Sequence, residues 1–210
     1  MSKNNPGKRY NASTVIIIVL LMIIVIGFGV EKFSKQGEGR KSSGVEKGNA
    51  TNDLSQLLVG RPAPAFSLTD RDGNTYTNDN LKGKRVVLFF NEGLMCYPAC
   101  WNQMMEFPKD KRFDQDDVAV FSIVIDAKES WKKAIEKMPE MAAVRSLHDT
   151  DRTASKDFQM LNLPSSMHLG SIPGHTYVVI DKEGIVRYVL DDPKMAINNG
   201  TIYSEIEKLK

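Results

Sequence analysis

The longest apolar stretch of the chain lies near its start. From Asn11 to Val30 no residue is charged, and Val15–Val30 is nearly all Ile, Val, Leu, Met and Gly. With its polar shoulder the run reaches about 20 residues, enough for a helix to cross a bilayer. It reads as an uncleaved transmembrane anchor over 13–33 behind a short tail, 1–12. The alternative is a signal peptide, whose apolar core usually runs only about 7–15 residues. Residues 34–56 are rich in Gly, Ser, Lys and Glu with no apolar period, which predicts a flexible tether.

Beyond Leu57 the pattern alternates between strand and helix, giving one domain over 57–210. Gly60–Leu68 is extended and Pro-punctuated, and Asp72-Gly73 turns it into Asn74–Thr77 as a small hairpin. Val86–Phe90 is a continuous apolar run of the kind buried on both faces of a sheet, and Val118–Ile125 is a second. Helical stretches are expected to about Glu106, over Glu129–Met138 up to Pro139, and over Thr153–Leu161. Tyr177–Ile180 and Ile185–Val189 flank the turn at Asp181–Gly184 as an antiparallel hairpin. Thr201 is placed to cap a closing helix, Ile202–Leu209. This order predicts an α/β fold with a mixed central sheet flanked by helices.

Charge sharpens the picture of the N-terminal region. Residues 1–47 carry eight Lys/Arg against three Glu, while the whole chain has a formal net charge of +2. The globular part is therefore mildly acidic and has no basic block, which argues against nucleic-acid binding. The positive charge belongs beside lipid head groups. Basic residues stand on both sides of the span, so the positive-inside rule does not choose an orientation. A short tail inside with the globular domain outside is the simpler topology.

The two cysteines, Cys96 and Cys100, are the only ones in 210 residues and sit four apart. The segment reads Phe90-Asn91-Glu92-Gly93-Leu94-Met95-Cys96-Tyr97-Pro98-Ala99-Cys100-Trp101. Cys96 falls just after a buried strand, at the expected start of a helix, with Pro98 suited to its first turn. Unpaired amides and the helix dipole favour an anion there, so Cys96 is expected to attack as thiolate. Cys100 lies one turn on, on the same face and within disulfide reach, and is expected to resolve.

The segment Gly60–Leu68, with Asp72-Gly73 and Gly83–Leu88, resembles the opening of the redoxins. These include the peroxiredoxins of the alkyl hydroperoxide reductase/thiol-specific antioxidant family and membrane-tethered thiol–disulfide oxidoreductases. Thr176–Tyr188 is similar to the later signature of the family, so the resemblance spans about residues 57–190. It implies a thioredoxin-like fold and thiol redox chemistry with antioxidant potential. It also implies protein disulfides or small peroxides as substrate, and a thiol or membrane electron donor. Two positions depart from the peroxiredoxin pattern P-x-x-x-T/S-x-x-C, where this chain has Phe89 and Gly93. Gly174-His175 stands where the family carries an arginine.

Several supporting residues follow. In thioredoxin-like proteins a cis-proline loop faces the cysteines; carried over, Pro173 would be that residue. His168 and His175 flank the loop and can approach Cys96. Glu92 is a candidate proton acceptor near the thiols, with a solvated loop residue as the plain alternative. Trp101 reads as packing beside the cysteines. Copper-delivering proteins of cytochrome oxidase assembly also show C-x-x-x-C with a distant histidine on a tethered thioredoxin fold. That alternative would make Cys96, Cys100 and His168 ligands of Cu(I). No nucleotide fingerprint or Walker motif occurs, so no cofactor is expected.

Overall fold

The computed structural model describes residues 49–210. The expected tail, 1–12, the anchor, 13–33, and the tether as far as residue 48 lie outside the described residues. No helix among the described residues is long and apolar enough to cross a membrane.

A mixed sheet of seven strands organises the domain. At its centre is β3 (Arg85–Phe90), every residue of which is buried. Its neighbours are β4 (Val118–Val124), parallel, and β6 (Thr176–Ile180), antiparallel. Because strand side chains alternate, Val86, Leu88 and Phe90 enter one apolar cluster while Val87 and Phe89 enter the other. A strand dressed on both faces reads as an unbroken apolar run, which is why the sequence marked it. The hairpin β1 (Ser67–Asp70)–β2 (Thr75–Thr77) forms one edge, and β7 (Val186–Asp191) the other.

Helices cover both faces. On one side pack α1 (Asn49–Leu58), through Leu54 and Leu58, and α4 (Thr153–Asp157), through Ala154 and the following Phe158. On the other pack α2 (Ala99–Glu106), α3 (Lys128–Lys137) and α5 (Asn199–Glu207), through Cys100, Trp131 and Ile202. Both cysteines belong to this second side.

The structure departs from the sequence reading in five places. The tether expected to reach residue 56 ends earlier, because α1 already buries Leu54 and Leu58, one helical turn apart. The short strand β5 (Ser146–His148) was not foreseen; it is buried between β1 and β4. The helix expected over Thr153–Leu161 stops at Asp157, and Gln159 takes a left-handed conformation before a short 3-10 turn. The closing helix begins at Asn199 rather than after Thr201, so Thr201 lies inside it and is no cap. The helix expected to open with Cys96 instead begins at Ala99, leaving Cys96 just outside it.

Candidate functional site

Cys96 ends a 3-10 turn, Gly93–Met95, that leads out of β3. Three residues later α2 begins, and Cys100 is its second residue. The turn and the helix start fold the two cysteines back on each other. Their sulfurs form a disulfide with Cα atoms 5.3 Å apart, inside the range such a bond spans. The Cys100 backbone N–H donates to the Cys96 carbonyl at 3.0 Å and to Cys96 Sγ at 3.3 Å. An amide at a helix N-terminus aimed at Sγ favours negative charge on that sulfur. Met195 Sδ lies 3.9 Å from Cys96 Sγ. Cys96 is 3% exposed and Cys100 0%, so a reagent from solvent meets Cys96 first.

Of the two histidines expected near the pair, His175 is the one that arrives, and it faces Cys100 rather than Cys96. Its Nδ1 stands 3.7 Å from Cys100 Sγ, and Nε2 contacts the Tyr177 hydroxyl at 2.8 Å and the Ala196 carbonyl at 3.2 Å. Phe89 lies 4.6 Å away, edge to face. Burial pushes the His175 imidazole down to about 4, so it is neutral at neutral pH.

His168 instead points to Glu92, with Nδ1 3.4 Å from Oε1. The set Cys96, Cys100 and His168 is therefore not assembled. Among the described residues no group of three or more His, Cys, Asp or Glu could hold a metal ion. The copper-ligand alternative thus finds no support among the described residues. Glu92 is not a solvated loop residue: it is buried, and Oε1 accepts the Met167 N–H at 2.7 Å. It ties the 165–175 loop to the cysteine turn. Trp101 packs edge to face on Tyr97 at 5.3 Å, and its Nε1–H donates to the Gly93 carbonyl at 3.2 Å.

Pro173 does not form a cis bond; among the described residues the cis peptide is Tyr97–Pro98, between the cysteines. Hydroxyls hold the loop around Pro173. Ser166 Oγ donates to the Ile172 carbonyl at 2.8 Å, and the His175 N–H donates to Ser165 Oγ at 2.7 Å. Gly174 runs so close to Ser165 and Ser166 that a methyl group there would collide with both. These bonds fix His175 against Cys100.

Sequence reasoning missed Gln103, Tyr177, Asn198 and Asn199. Tyr177 O–H reaches Gln103 Oε1 at 2.9 Å, and Gln103 Nε2 reaches Asn199 Oδ1 at 2.8 Å. One signal was available: Gln103 lies three residues after Cys100, on the buried face of α2 beside Met104.

The model of the AhpC/TSA family matches residues 59–189. The chain belongs to the AhpC/TSA family. Among curated relatives in the family, peroxiredoxin Q, chloroplastic, of Suaeda salsa is 31% identical over 147 residues, 66% of this chain and 62% of that protein. The chain thus spans about three fifths of the length of that relative. Peroxiredoxin Bcp of Escherichia coli (strain K12) is 26% identical over 163 residues, 74% of this chain and 99% of that protein. The crystal structure of peroxidoxin BcpB from Mycobacterium tuberculosis has the same fold. It superposes with a TM-score of 0.60 at 21% identity, covering 73% of this chain and 98% of that one.

Proposed function

We propose that this AhpC/TSA-family chain is a membrane-anchored thiol–disulfide oxidoreductase whose Cys96 attacks a peroxide or a disulfide and whose Cys100 resolves the product. The observation that carries this reading is the asymmetry of the pair. Cys96 Sγ receives a helix-terminal amide at 3.3 Å and lies nearer solvent, while Cys100 is sealed beneath it. An activated thiolate followed by an internal disulfide splits one difficult substitution into two easier ones. With a peroxide, Cys96 would become a sulfenic acid as the O–O bond breaks. A thiol donor would then reopen the disulfide.

Met95, Tyr97, Met167, Leu169 and Ile197 are exposed on the loops that carry the site. An apolar rim of this kind favours a protein as electron donor or disulfide substrate. The uncharged run from Asn11 to Val30 supports a single-pass anchor over 13–33, and a globular domain on the outer side is the simpler topology.

The test is single turnover of the full chain in detergent with hydrogen peroxide and with a disulfide-bearing protein. Cys96→Ser should abolish both reactions. Cys100→Ser should keep the first oxidation yet stop at a sulfenic acid or mixed disulfide. Retained turnover in Cys96→Ser would refute the assignment.

A further inference from the structure

A chain of hydrogen bonds runs from the surface to Cys100, and its direction can be worked out from groups that can act in only one way. Arg112 holds the Asp110 carboxyl down at about 2, so Asp110 is an ionised acceptor. Asn199 Nδ2 therefore donates to Asp110 Oδ2 at 3.0 Å and to the Glu106 carbonyl at 3.2 Å. That orientation leaves Asn199 Oδ1 to accept from Gln103 Nε2 at 2.8 Å. Gln103 Oε1 then faces Tyr177 and the Asn198 backbone N–H, which donates to it at 2.7 Å. A backbone N–H can only donate, so the Gln103 amide is fixed from this side too.

Burial pushes the Tyr177 phenol up, so it keeps its proton. That single proton goes to Gln103 Oε1 at 2.9 Å. The Tyr177 oxygen must then accept from His175 Nε2, and the Ala196 carbonyl, also an acceptor, faces the same nitrogen. Three independent ends, Asp110, Asn198 N–H and Ala196 C=O, demand the same tautomer. His175 carries its proton on Nε2 and turns a bare Nδ1 lone pair toward Cys100 Sγ, 3.7 Å away.

We propose that His175 is the base that takes the proton of Cys100 as that thiol closes the disulfide, and that the Tyr177–Gln103–Asn199–Asp110 chain holds it in the required tautomer. The inference rests on Cys100 being the resolving thiol. Starting from Cys96 sulfenic acid, the Cys100 S–H proton passes to His175 Nδ1 and the freed sulfur pair attacks Cys96 Sγ. The S–S bond forms as the S–O bond breaks. The departing hydroxide takes the proton from His175 and leaves as water, so His175 is neutral again. Cys100 is oxidised and the Cys96 sulfur reduced, with the peroxide as the original oxidant. With a mixed disulfide on Cys96 the departing group is a thiolate and the proton path is the same. Around the ring stand Cys100 from α2, Tyr177 from β6, Phe89 from β3 and Asp192 just after β7. Asp192 is the carboxylate that favours the transient imidazolium.

The test does not need a peroxide. Reduced full chain in detergent is mixed with dithiobis(nitrobenzoate), which releases one chromophore when Cys96 attacks it and a second when Cys100 displaces the first adduct. His175→Gln should slow the second, concentration-independent release by about 100-fold or more, the range of a lost general base. The first release should stay within about threefold. The second rate of the variant should climb about tenfold per pH unit toward the wild-type rate, as hydroxide replaces the base. A second release unchanged in the variant would overturn the proposal. So would equal slowing of both releases at every pH, which marks a structural role. In the unmutated protein, imidazole nitrogen NMR should show His175 protonated on Nε2 alone, and a proton on Nδ1 would overturn the proposal without any variant. A chain that passes these tests but ignores peroxides and protein disulfides would refute the proposed function and leave the role of His175 standing.

Discussion

Replacing Gln103 by Leu should be far more damaging than replacing Tyr177 by Phe, although both changes remove polar atoms from the same buried chain. In Tyr177→Phe each former partner keeps another. Gln103 Oε1 retains the Asn198 N–H, and His175 Nε2–H retains the Ala196 carbonyl. The loss is that of ordinary hydrogen bonds, about 1–2 kcal/mol in all. Gln103→Leu leaves three groups without partners: the Tyr177 O–H proton, the Asn198 N–H and Asn199 Oδ1. At about 2 kcal/mol for each orphaned group, less about 1–3 kcal/mol gained from burying Leu, the expected cost is about 3–5 kcal/mol. Urea unfolding of the oxidised protein, followed through the buried Trp131, measures both. With a slope of about 1.5 kcal/mol per molar, Gln103→Leu should move the midpoint by roughly 2–3 M and Tyr177→Phe by about 1 M. Midpoints within about half a molar of each other would refute the claim that Gln103 is the junction of the chain.

Acid should weaken the fold through His175. Its folded pKa, about 4, lies below the unfolded value of 6.5, so the unfolded chain takes the proton first. Stability is then whole above about pH 6.5 and falls by about 3 kcal/mol towards pH 4. Comparing unfolding midpoints at pH 7 and 4.5 in wild type and His175→Gln isolates this contribution, and equal slopes would refute it. Gly174→Ala should cost about 1–3 kcal/mol, because the added methyl meets Ser165 and the Ser166 backbone. In a scanning calorimeter that is a fall of roughly 4–8 °C at about 2 kcal/mol, and an unchanged Tm would show that the loop can yield.

What could be read from the residues is unequal across the molecule, for physical reasons. The strands β3, β4 and β6 are buried on both faces, so their Val/Ile/Phe runs announce them. The strand β5 is three residues, Ser-Leu-His, and is held by pairing with β1 and β4 rather than by any local pattern. The helix α1 was hidden by its Asn, Thr and Ser content; among its described side chains Leu54 and Leu58 mark the inner face. The cysteine pair was legible because its two members are four residues apart. His175 stands out in the sequence only by its place beside Pro173, yet its partner Cys100 is 75 residues away. The polar chain joins residues separated by 74 to 96 positions, and no periodicity connects them. Only the sheet, by setting β6 beside β3 and packing α2 across both, brings them together.

The same packing explains why two positions of the peroxiredoxin pattern are filled differently in this chain. Gly93 stands at the hydroxyl position, and it adopts φ +61° with Asp126 where a side chain would begin. Asp126 Oδ2 is engaged there, accepting the Leu94 N–H at 3.0 Å. A serine or threonine at 93 would have to displace that carboxylate and adopt a backbone conformation that L residues disfavour. Phe89, at the proline position, stacks on Tyr177 at 4.6 Å and abuts His175, so it belongs to the wall that holds the imidazole. Of the two positions, Gly93 thus makes room for the Asp126 carboxylate and Phe89 for the wall around His175. Gly93→Ser is the direct trial. If the fold excludes the hydroxyl, the variant loses about 1–3 kcal/mol of stability and gains no rate in the first oxidation of Cys96. A faster first oxidation with unchanged stability would mean that the turn accepts a side chain and that the missing hydroxyl, not the packing, limits the reaction.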